Sequence, residues 1–507
     1  MAFHCLRKSR AQGPNSFVTG DMSPDVTTAL SPLRNQRELR APPARLVGEA
    51  VEANQVGDPR SYKLALTIAL VAIFCPPVQV EFAGVILTPG RVVTILFILP
   101  AVFAVRRRRG GLYAADVCAL LTSAWCIVAT MLNGGFRPYV AVEALELFSG
   151  YMIGRAFTFG ILPLQTFVRI LKWVSLGLIL LAALDTISGR RFTAETVAHF
   201  FSLPFDAGDT QYRNGLVRAT STFPTSELFG LFCVACASIF LYSEQGLRRK
   251  LTYSGLAVVG TILSVSSGPA LALGIVLGSF CYGIVFSRSS RKWKILRNAI
   301  IGSLLFAFLF DVVILGNDAT HPILWVVRNF TFDPWTGYWR VETWQHAMPV
   351  ILSAPLVGIG FNSVDPRDLY LRSLDSVYLV MMWRFGIPAT LFLLATIIST
   401  VAENQTRAPT TRDEAFLCEI RTGLSLAIVA IAVVGLTVHL WDSTWIFWSM
   451  SMGVRVSLKE YHRMRVGKRL NSVAGAGQSR TLMSTSKKYT SGLDIPISPR
   501  SHHRPMM

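Results

Sequence analysis

About twelve apolar stretches, most of them 15 to 23 residues long, follow one another between Leu64 and Val456. A helix needs about 20 residues to cross a hydrocarbon core of about 30 Å, with some variation for tilt and packing. Inside lipid the backbone must satisfy its own hydrogen bonds, so repetition at this length points to an all-α, polytopic membrane helix bundle. The stretches are approximately Leu64–Val80, Ile86–Val105, Ala114–Leu132, Val140–Phe157, Phe167–Ile187, Ser226–Tyr242, Leu251–Val265, Pro269–Phe286, Ala299–Leu315, Val377–Ser399, Leu424–Leu440 and Trp445–Val456.

Composition agrees with this reading. Of the 507 residues 51% are hydrophobic and only 16% are charged, and mean hydropathy is +0.44. Globular chains average about a quarter charged. Soluble enzymes, disulfide-rich secreted domains and wholly disordered chains are excluded. The net charge of +19 invites a nucleic-acid reading, but its distribution argues otherwise. Nine Lys and Arg precede Leu64, eleven follow Val454, and most of the rest sit in short clusters between apolar runs. Basic loops on a membrane protein look like this, and no RNA- or DNA-binding motif accompanies them. No nucleic-acid partner is expected.

The clusters also give an orientation. Arg106–Arg109, Arg248 to Lys250, the five cations of Arg288–Arg297, the trio Arg407, Arg412 and Arg421, and the C-terminal eleven occupy alternate connections. Placing these in the cytoplasm puts both termini there. Residues 1–63, rich in Pro and polar side chains, read as a disordered cytoplasmic tail with no cleavable leader, and 457–507 as a disordered basic cytoplasmic tail. The helix bundle occupies 64–456. Two connections on the opposite face are long, 188–225 and 316–376, and long loops on one face tend to carry function.

The second of these loops holds Trp325, Phe330, Phe332, Trp335, Tyr338, Trp339, Trp344, Phe361 and Tyr370. Such residues form either an interfacial belt or a platform on which sugar rings stack. From about Gly337 to Leu352 the pattern is helical, with Asp333 near the start and Pro349 in the last turn. Val341, Trp344, Met348 and Ile351 form one apolar stripe with Arg340 at its edge. A helix lying on the outer membrane surface, with Arg340 at the level of lipid phosphates, is the expectation.

Several short motifs follow in a fixed order. Arg218-Ala-Thr-Ser-Thr-Phe-Pro-Thr-Ser-Glu-Leu-Phe-Gly230 leads into the sixth stretch, and Ser266-Ser-Gly-Pro269 separates the seventh from the eighth. Trp339-Arg340 and Pro355-Leu-Val-Gly-Ile-Gly-Phe361 lie in the large loop. Asp375-Ser-Val-Tyr-Leu379 opens the tenth stretch, and Arg384-Phe-Gly-Ile follows. This order resembles the O-antigen ligase and polymerase superfamily of bacterial envelope glycosyltransferases, and most closely its exopolysaccharide and O-antigen polymerases, over roughly residues 60–456. The resemblance implies about twelve transmembrane helices in the inner membrane, with a large periplasmic loop over a cavity. It also implies inverting, metal-independent transfer of an oligosaccharide from undecaprenyl diphosphate. A polymerase joins it to another lipid-linked repeat and a ligase to the lipid A core. A flippase and a chain-length regulator of the same pathway would be partners.

The residues can also be read directly. A glycosyl diphosphate donor gathers negative charge on its leaving group, and without a metal fixed cations must meet that charge. Arginine stays protonated and grips phosphate bidentately. Arg218 and Arg340 match the motifs. Arg384 lies about 13 Å into the tenth stretch by helical rise, deep enough to need a partner such as Glu143 or Glu146. Trp339 and Trp344 are candidates for stacking on the substrate. The acceptor hydroxyl must lose a proton. Ligases of the superfamily carry a histidine where this chain has Asp375, which favours a polymerase, with Asp375 as base, acceptor-positioning group or helix N-cap. Glu342 and His346, at i and i+4, are alternatives or a solvated pair, and His199, His321 and His439 are isolated.

A transporter is the competing class, because Asp116, Glu143, Glu146, Asp185 and Asp311 lie in or near the stretches. No inverted repeat with matching broken helices supports it. Cys233 and Cys236 fall mid-stretch and read as small buried hydrophobes. Neither a metal nor any other cofactor is expected.

Overall fold

The structure is a computed structural model and describes residues 59–465 apart from 77, 79, 83–84, 109–110, 202–209, 214, 287–297, 299–333, 362–370, 372 and 403–410. Both expected tails, up to 58 and from 466, lie outside the described residues. So do the ninth apolar stretch and Asp311, His321, Trp325, Phe330, Phe332, Asp333 and Tyr370. All the described residues belong to one compact unit, 51–507.

Among the described residues the chain is a helix bundle with two small hairpins. In order it forms α1 (Pro59–Phe74), β1 (Val80–Phe82), β2 (Val85–Leu87), α2 (Pro89–Arg107), α3 (Ala114–Leu132), α4 (Pro138–Phe157), α5 (Ile161–Ser188) and α6 (Phe192–Phe201). Then come β3 (Tyr212–Arg213), β4 (Leu216–Val217), α7 (Ser226–Ser243), α8 (Leu247–Leu263), α9 (Ser267–Val285), α10 (Pro334–Ser353), α11 (Val377–Phe385), α12 (Ile387–Val401) and α13 (Arg412–Val434). A last helix, α14, covers 442–465. Each hairpin is antiparallel, with Val80 opposite Leu87 and Tyr212 opposite Val217. Among the described residues six helices, α2, α3, α5, α7, α9 and α13, are long and apolar enough to cross a membrane by length and composition. The protein is therefore an all-α, multi-pass membrane protein.

Helix ends depart from the apolar stretches where polar residues continue the helix. The first helix starts at Pro59 rather than Leu64, and the last continues to residue 465, past the expected start of the tail. Helix α13 begins at Arg412, twelve residues before the apolar run, because Thr411 caps it by accepting the backbone N–H of Glu414.

Helix α7 is the centre of the bundle, and 94% of its span is buried. Cys233 and Cys236 are fully buried in it. Ser238 donates to the Gly423 carbonyl of α13 at 2.8 Å. Phe232 packs with Phe74 of α1 and Phe447 of α14, at ring-centroid distances of 4.5 and 5.3 Å.

Helices α4 and α14 approach through small residues. A side chain on Gly154 would strike the Met450 carbonyl and stand 2.9 Å from Val454 N, and one on Gly453 would strike the Tyr151 carbonyl. Gly150 and Gly154 form a G-x-x-x-G face. Lipid gives helices no hydrophobic reason to associate, so close backbone packing of this kind supplies the attraction. The crossing also carries a buried ionic knot. Arg155 of α4, with no exposed surface, pairs with Asp116 of α3 at 3.1 Å and with Glu460 of α14, while Tyr151 donates to Asp116 at 2.5 Å.

The connections sort into two ends of the bundle. One end joins Arg108 to the Arg155 carbonyl, Lys172 to Glu244, Lys250 to Glu419, Arg412 to Gln245 and Arg465 to Asp413. The other joins Thr222 to the Phe74 carbonyl, Ala219 to the Leu263 carbonyl, Asn133 to the Val357 carbonyl and Val377 to the Gly435 carbonyl. Described basic clusters thus gather at the first end, and the motif segments gather at the second.

Candidate functional site

Three segments build the motif-bearing end. The first runs from β4 to α7. Asp185, fully buried near the end of α5, accepts the backbone N–H groups of Thr220 at 3.3 Å and Ser221 at 2.9 Å. It also accepts the N–H and hydroxyl of Thr193, at 3.0 and 3.1 Å. Ser221 takes a left-handed φ of 53°, and Thr225 caps α7. The segment so fixed presents Arg218, which is 8% exposed. Its guanidinium donates to Gln211 Oε1 at 2.6 Å and pairs with Glu227 in the first turn of α7.

The second segment is α10 with the loop after it. The helix starts at Pro334 and runs through Pro349 to Ser353. It packs on α11 through Ala347 and Ile351 against Leu379 and Trp383. Contact with the bundle, rather than a free position on a surface, sets its orientation. Glu342 and His346 stand 3.9 Å apart at the margin, with the histidine well exposed. Residues 355–361 then turn back against the tenth apolar stretch, which is not one helix. It breaks between α11 and α12 at Gly386, whose φ is +81°. Ile387 N–H donates to the Pro355 carbonyl and Ile359 N–H to the Trp383 carbonyl, both at 2.8 Å. A Cβ on Gly386 would overlap the Leu356 carbonyl and lie 2.8 Å from Val357 N. Gly358 and Gly386 therefore serve one purpose, letting the loop lie against the opened helix, while Gly360 lies against Asn133. The loop sets Phe361 under Arg384, 4.7 Å from guanidinium to ring centre.

The third segment is the start of α11. Asp375 accepts a hydrogen bond from Ser373 at 2.7 Å, and Ser376 is the N-cap, accepting the N–H of Leu379. The capping role that the sequence left open for Asp375 belongs to its neighbour.

These segments enclose a cavity of about 510 Å³. Arg340, Arg384 and Asp375 all line it, together with Glu227, His439, Phe361, Trp383 and Trp441. Arg218 lines an adjoining hollow of about 220 Å³ that shares Thr225 with the larger cavity. Glu227 joins the two, paired with Arg218 and within the electrostatic reach of Arg340. Arg340 keeps a buried Nε with no hydrogen-bond partner among the described residues. Arg384 stands 3.6 Å from Glu143 of α4, one of the two carboxylates the sequence named for it, while the other, Glu146, pairs with Arg91. Trp339 and Trp344 do not line the cavity. Trp344 donates its indole N–H to the Leu436 carbonyl at 3.1 Å, and Trp339 packs beside Trp335. Among the described residues the indoles that line it are Trp383 and Trp441.

Two further cavity groups were not assigned by the sequence. Glu227 lies inside the Arg218 motif, but the pairing across nine residues depends on the turn that Asp185 holds. The eleventh apolar run includes His439, yet α13 ends at Val434 and leaves the histidine in the connection to α14. Burial and then the positive charge of Arg384 push His439 down to about 4. The ring is therefore neutral at physiological pH and can accept a proton.

The arrangement offers cationic donors for an anion, aromatic walls for rings, and acceptors for a hydroxyl proton in one space. Among the described residues no cluster of three metal-ligating side chains occurs. No known protein family matches the sequence, and no curated protein matches it.

Proposed function

We propose that this chain is a polysaccharide polymerase-like glycosyltransferase, joining undecaprenyl-diphosphate-linked repeat units on the periplasmic face of the inner membrane in exopolysaccharide or O-antigen biosynthesis. The observation that carries it is the cavity onto which Arg340 of α10 converges with Asp375 and Arg384, at the two ends of α11. In this reading the acceptor hydroxyl oxygen attacks the anomeric carbon while the bond to the diphosphate breaks with its electron pair, inverting the centre. Arg340 and Arg384 meet the charge on the leaving oxygen. Arg218, tied to Glu227, fixes that carboxylate beside the site and contributes a more distant positive charge. Asp375 holds the acceptor hydroxyl or takes its proton. Trp383 and Trp441 offer faces to the sugar rings in place of Trp339 and Trp344.

In this reading the bundle has twelve spans. The described helices pass between the two ends eleven times, with α11 and α12 counted as one pass, and the ninth apolar stretch of the sequence lies outside the described residues. The end bearing the basic clusters faces the cytoplasm with both termini.

A ligase acting on the lipid A core is the second reading, favoured by His439 in the cavity, since the lack of a histidine at 375 was the argument against it. A transporter draws less support. Asp116, Glu143, Glu146 and Asp185 are each engaged, with Arg155, Arg384, Arg91 and backbone donors respectively. Profiling lipid-linked sugars in a deletion strain separates the three. A polymerase leaves single repeats on the carrier, a ligase leaves full-length polymer there, and a transporter of a polysaccharide precursor or other solute moves it in proteoliposomes without forming a glycosidic bond.

A further inference from the structure

His439 stands between two spaces. On one side is the 510 Å³ cavity. On the other is a hollow of about 20 Å³ inside the bundle, lined by Ser123 and Cys126 of α3, Glu143 of α4 and Trp445 of α14. A water needs about 10–15 Å³ of such space and two to four polar partners. Three buried polar atoms of the residues around this hollow have no hydrogen-bond partner among the described residues: Ser123 Oγ, His439 Nδ1 and Trp445 Nε1. Buried polar groups left so are costly and rare. Here they come from three elements and surround one water-sized space that also contains a carboxylate. The indole N–H can only donate, the hydroxyl can do both, Nδ1 donates in the neutral tautomer whose other nitrogen is free to take a proton, and Glu143 can accept.

We propose that one ordered water occupies this hollow and relays a proton from His439 to Glu143, so that His439 takes the proton released in the outer cavity. This rests on the glycosyl-transfer reading above. As the acceptor oxygen bonds to the anomeric carbon, its proton passes to one ring nitrogen, Nδ1 gives a proton to the water, and the water gives one to the Glu143 carboxylate. Asp375, already bonded to Ser373, then positions the acceptor hydroxyl. Protonated Glu143 no longer holds Arg384 by charge, which frees that guanidinium for the departing diphosphate. Among the described residues, the charged groups that line these spaces with His439 are Arg384, Arg340, Asp375 and Glu227 in the cavity and Glu143 in the hollow. Arg384 is what keeps the ring weakly basic besides burial, and a bound diphosphate offsets it. The base thus gains strength when the donor is in place.

Two measurements on the full chain in lipid nanodiscs test this. In ultraviolet resonance Raman, the difference between wild type and Trp445→Phe should carry the signature of a hydrogen-bonded indole N–H. In a Ser123→Val background, where methyl groups take the space, the same difference should carry that of a free one. A free indole in the wild-type background overturns the water. In the second measurement the donor is the lipid-linked sugar recovered from a deletion strain. There His439→Gln should lower kcat about 100-fold with the donor KM unchanged, and Ser123→Val should lower kcat while leaving His439 in place. Undiminished kcat in His439→Gln overturns the relay. If no lipid-linked sugar accumulates in the deletion strain, the glycosyl-transfer reading fails and the relay with it, whatever the Raman spectra report.

Discussion

Replacing Gly386 by alanine adds one methyl group, and the structure sets what that methyl would do. At φ +81° and ψ 170° the residue occupies backbone space that is essentially glycine-only, at a cost of about 1–3 kcal/mol for any other residue. The new Cβ would also overlap the Leu356 carbonyl and press on Val357 N, atoms of backbone that cannot rotate away. Residues 355–358 must then withdraw, breaking the bonds from Ile387 N–H to Pro355 and from Ile359 N–H to Trp383. Each contributes about 0.5–1.5 kcal/mol, so the total is about 2–6 kcal/mol. Domains of 150–250 residues lose about 2–4 °C per kcal/mol, and a larger chain loses less. A fall in Tm of about 5 °C is expected for the purified protein, read by intrinsic tryptophan fluorescence. Gly177→Ala in α5 is the control, because a Cβ there meets nothing within 4 Å, and it should leave Tm unchanged or slightly raised. A Gly386→Ala protein melting with wild type would refute the account of the broken helix.

Other outcomes follow from the same geometry. Arg340→Lys keeps the charge but loses the planar fork, and polymer yield at matched expression should fall about 100-fold; normal yield removes Arg340 from the mechanism. Asp185→Ala leaves the donors of Thr193, Thr220 and Ser221 without their acceptor, and a loss of about 3–5 kcal/mol should appear in denaturant unfolding, whereas a carrier carboxylate would be dispensable for stability. Gly154→Leu should abolish accumulation of the folded protein, because the side chain meets α14 backbone. His439 binds a proton near pH 6.5 in the unfolded chain but only near pH 4 in the fold. Stability is therefore lost as pH falls between those values, by at most about 3 kcal/mol at 1.36 kcal/mol per unit. The His439→Gln protein should lack that component when Tm is followed from pH 7 to 4.5.

Much of the bundle could be read from the chain because burial in lipid or protein demands apolar side chains over a fixed length. Ala114–Leu132 coincides with α3 to the residue for that reason. Hydropathy fails where a helix continues on polar side chains, as at Arg412, or where one residue interrupts an apolar run, as at Gly386. The break was visible as Gly386-Ile-Pro388, but what requires it is a loop some 30 residues upstream. The candidate site divides in the same way. Arg340 and Asp375 stood out from the order of the motifs and Arg384 as a charge inside an apolar run, and a partner at Glu143 or Glu146 was legible from the cost of burying a cation. His439 escaped because its neighbours are apolar, and Glu227 because its role depends on the turn held by Asp185. Trp339 and Trp344 were read from residue type alone, and helical phase turned Trp344 into the protein.

The near-complete enclosure of α7 bears on how this molecule can be assembled. Its neighbour α13 is made almost 170 residues later in the chain, so during synthesis the central helix must first rest against lipid or an insertion chaperone and only later exchange that company for protein. Its sequence has to be greasy enough to enter the bilayer alone, yet small enough at Gly230 and Ser238 to be wrapped afterwards. A variant there can pass the first requirement and fail the second, yielding a fully inserted chain that never closes.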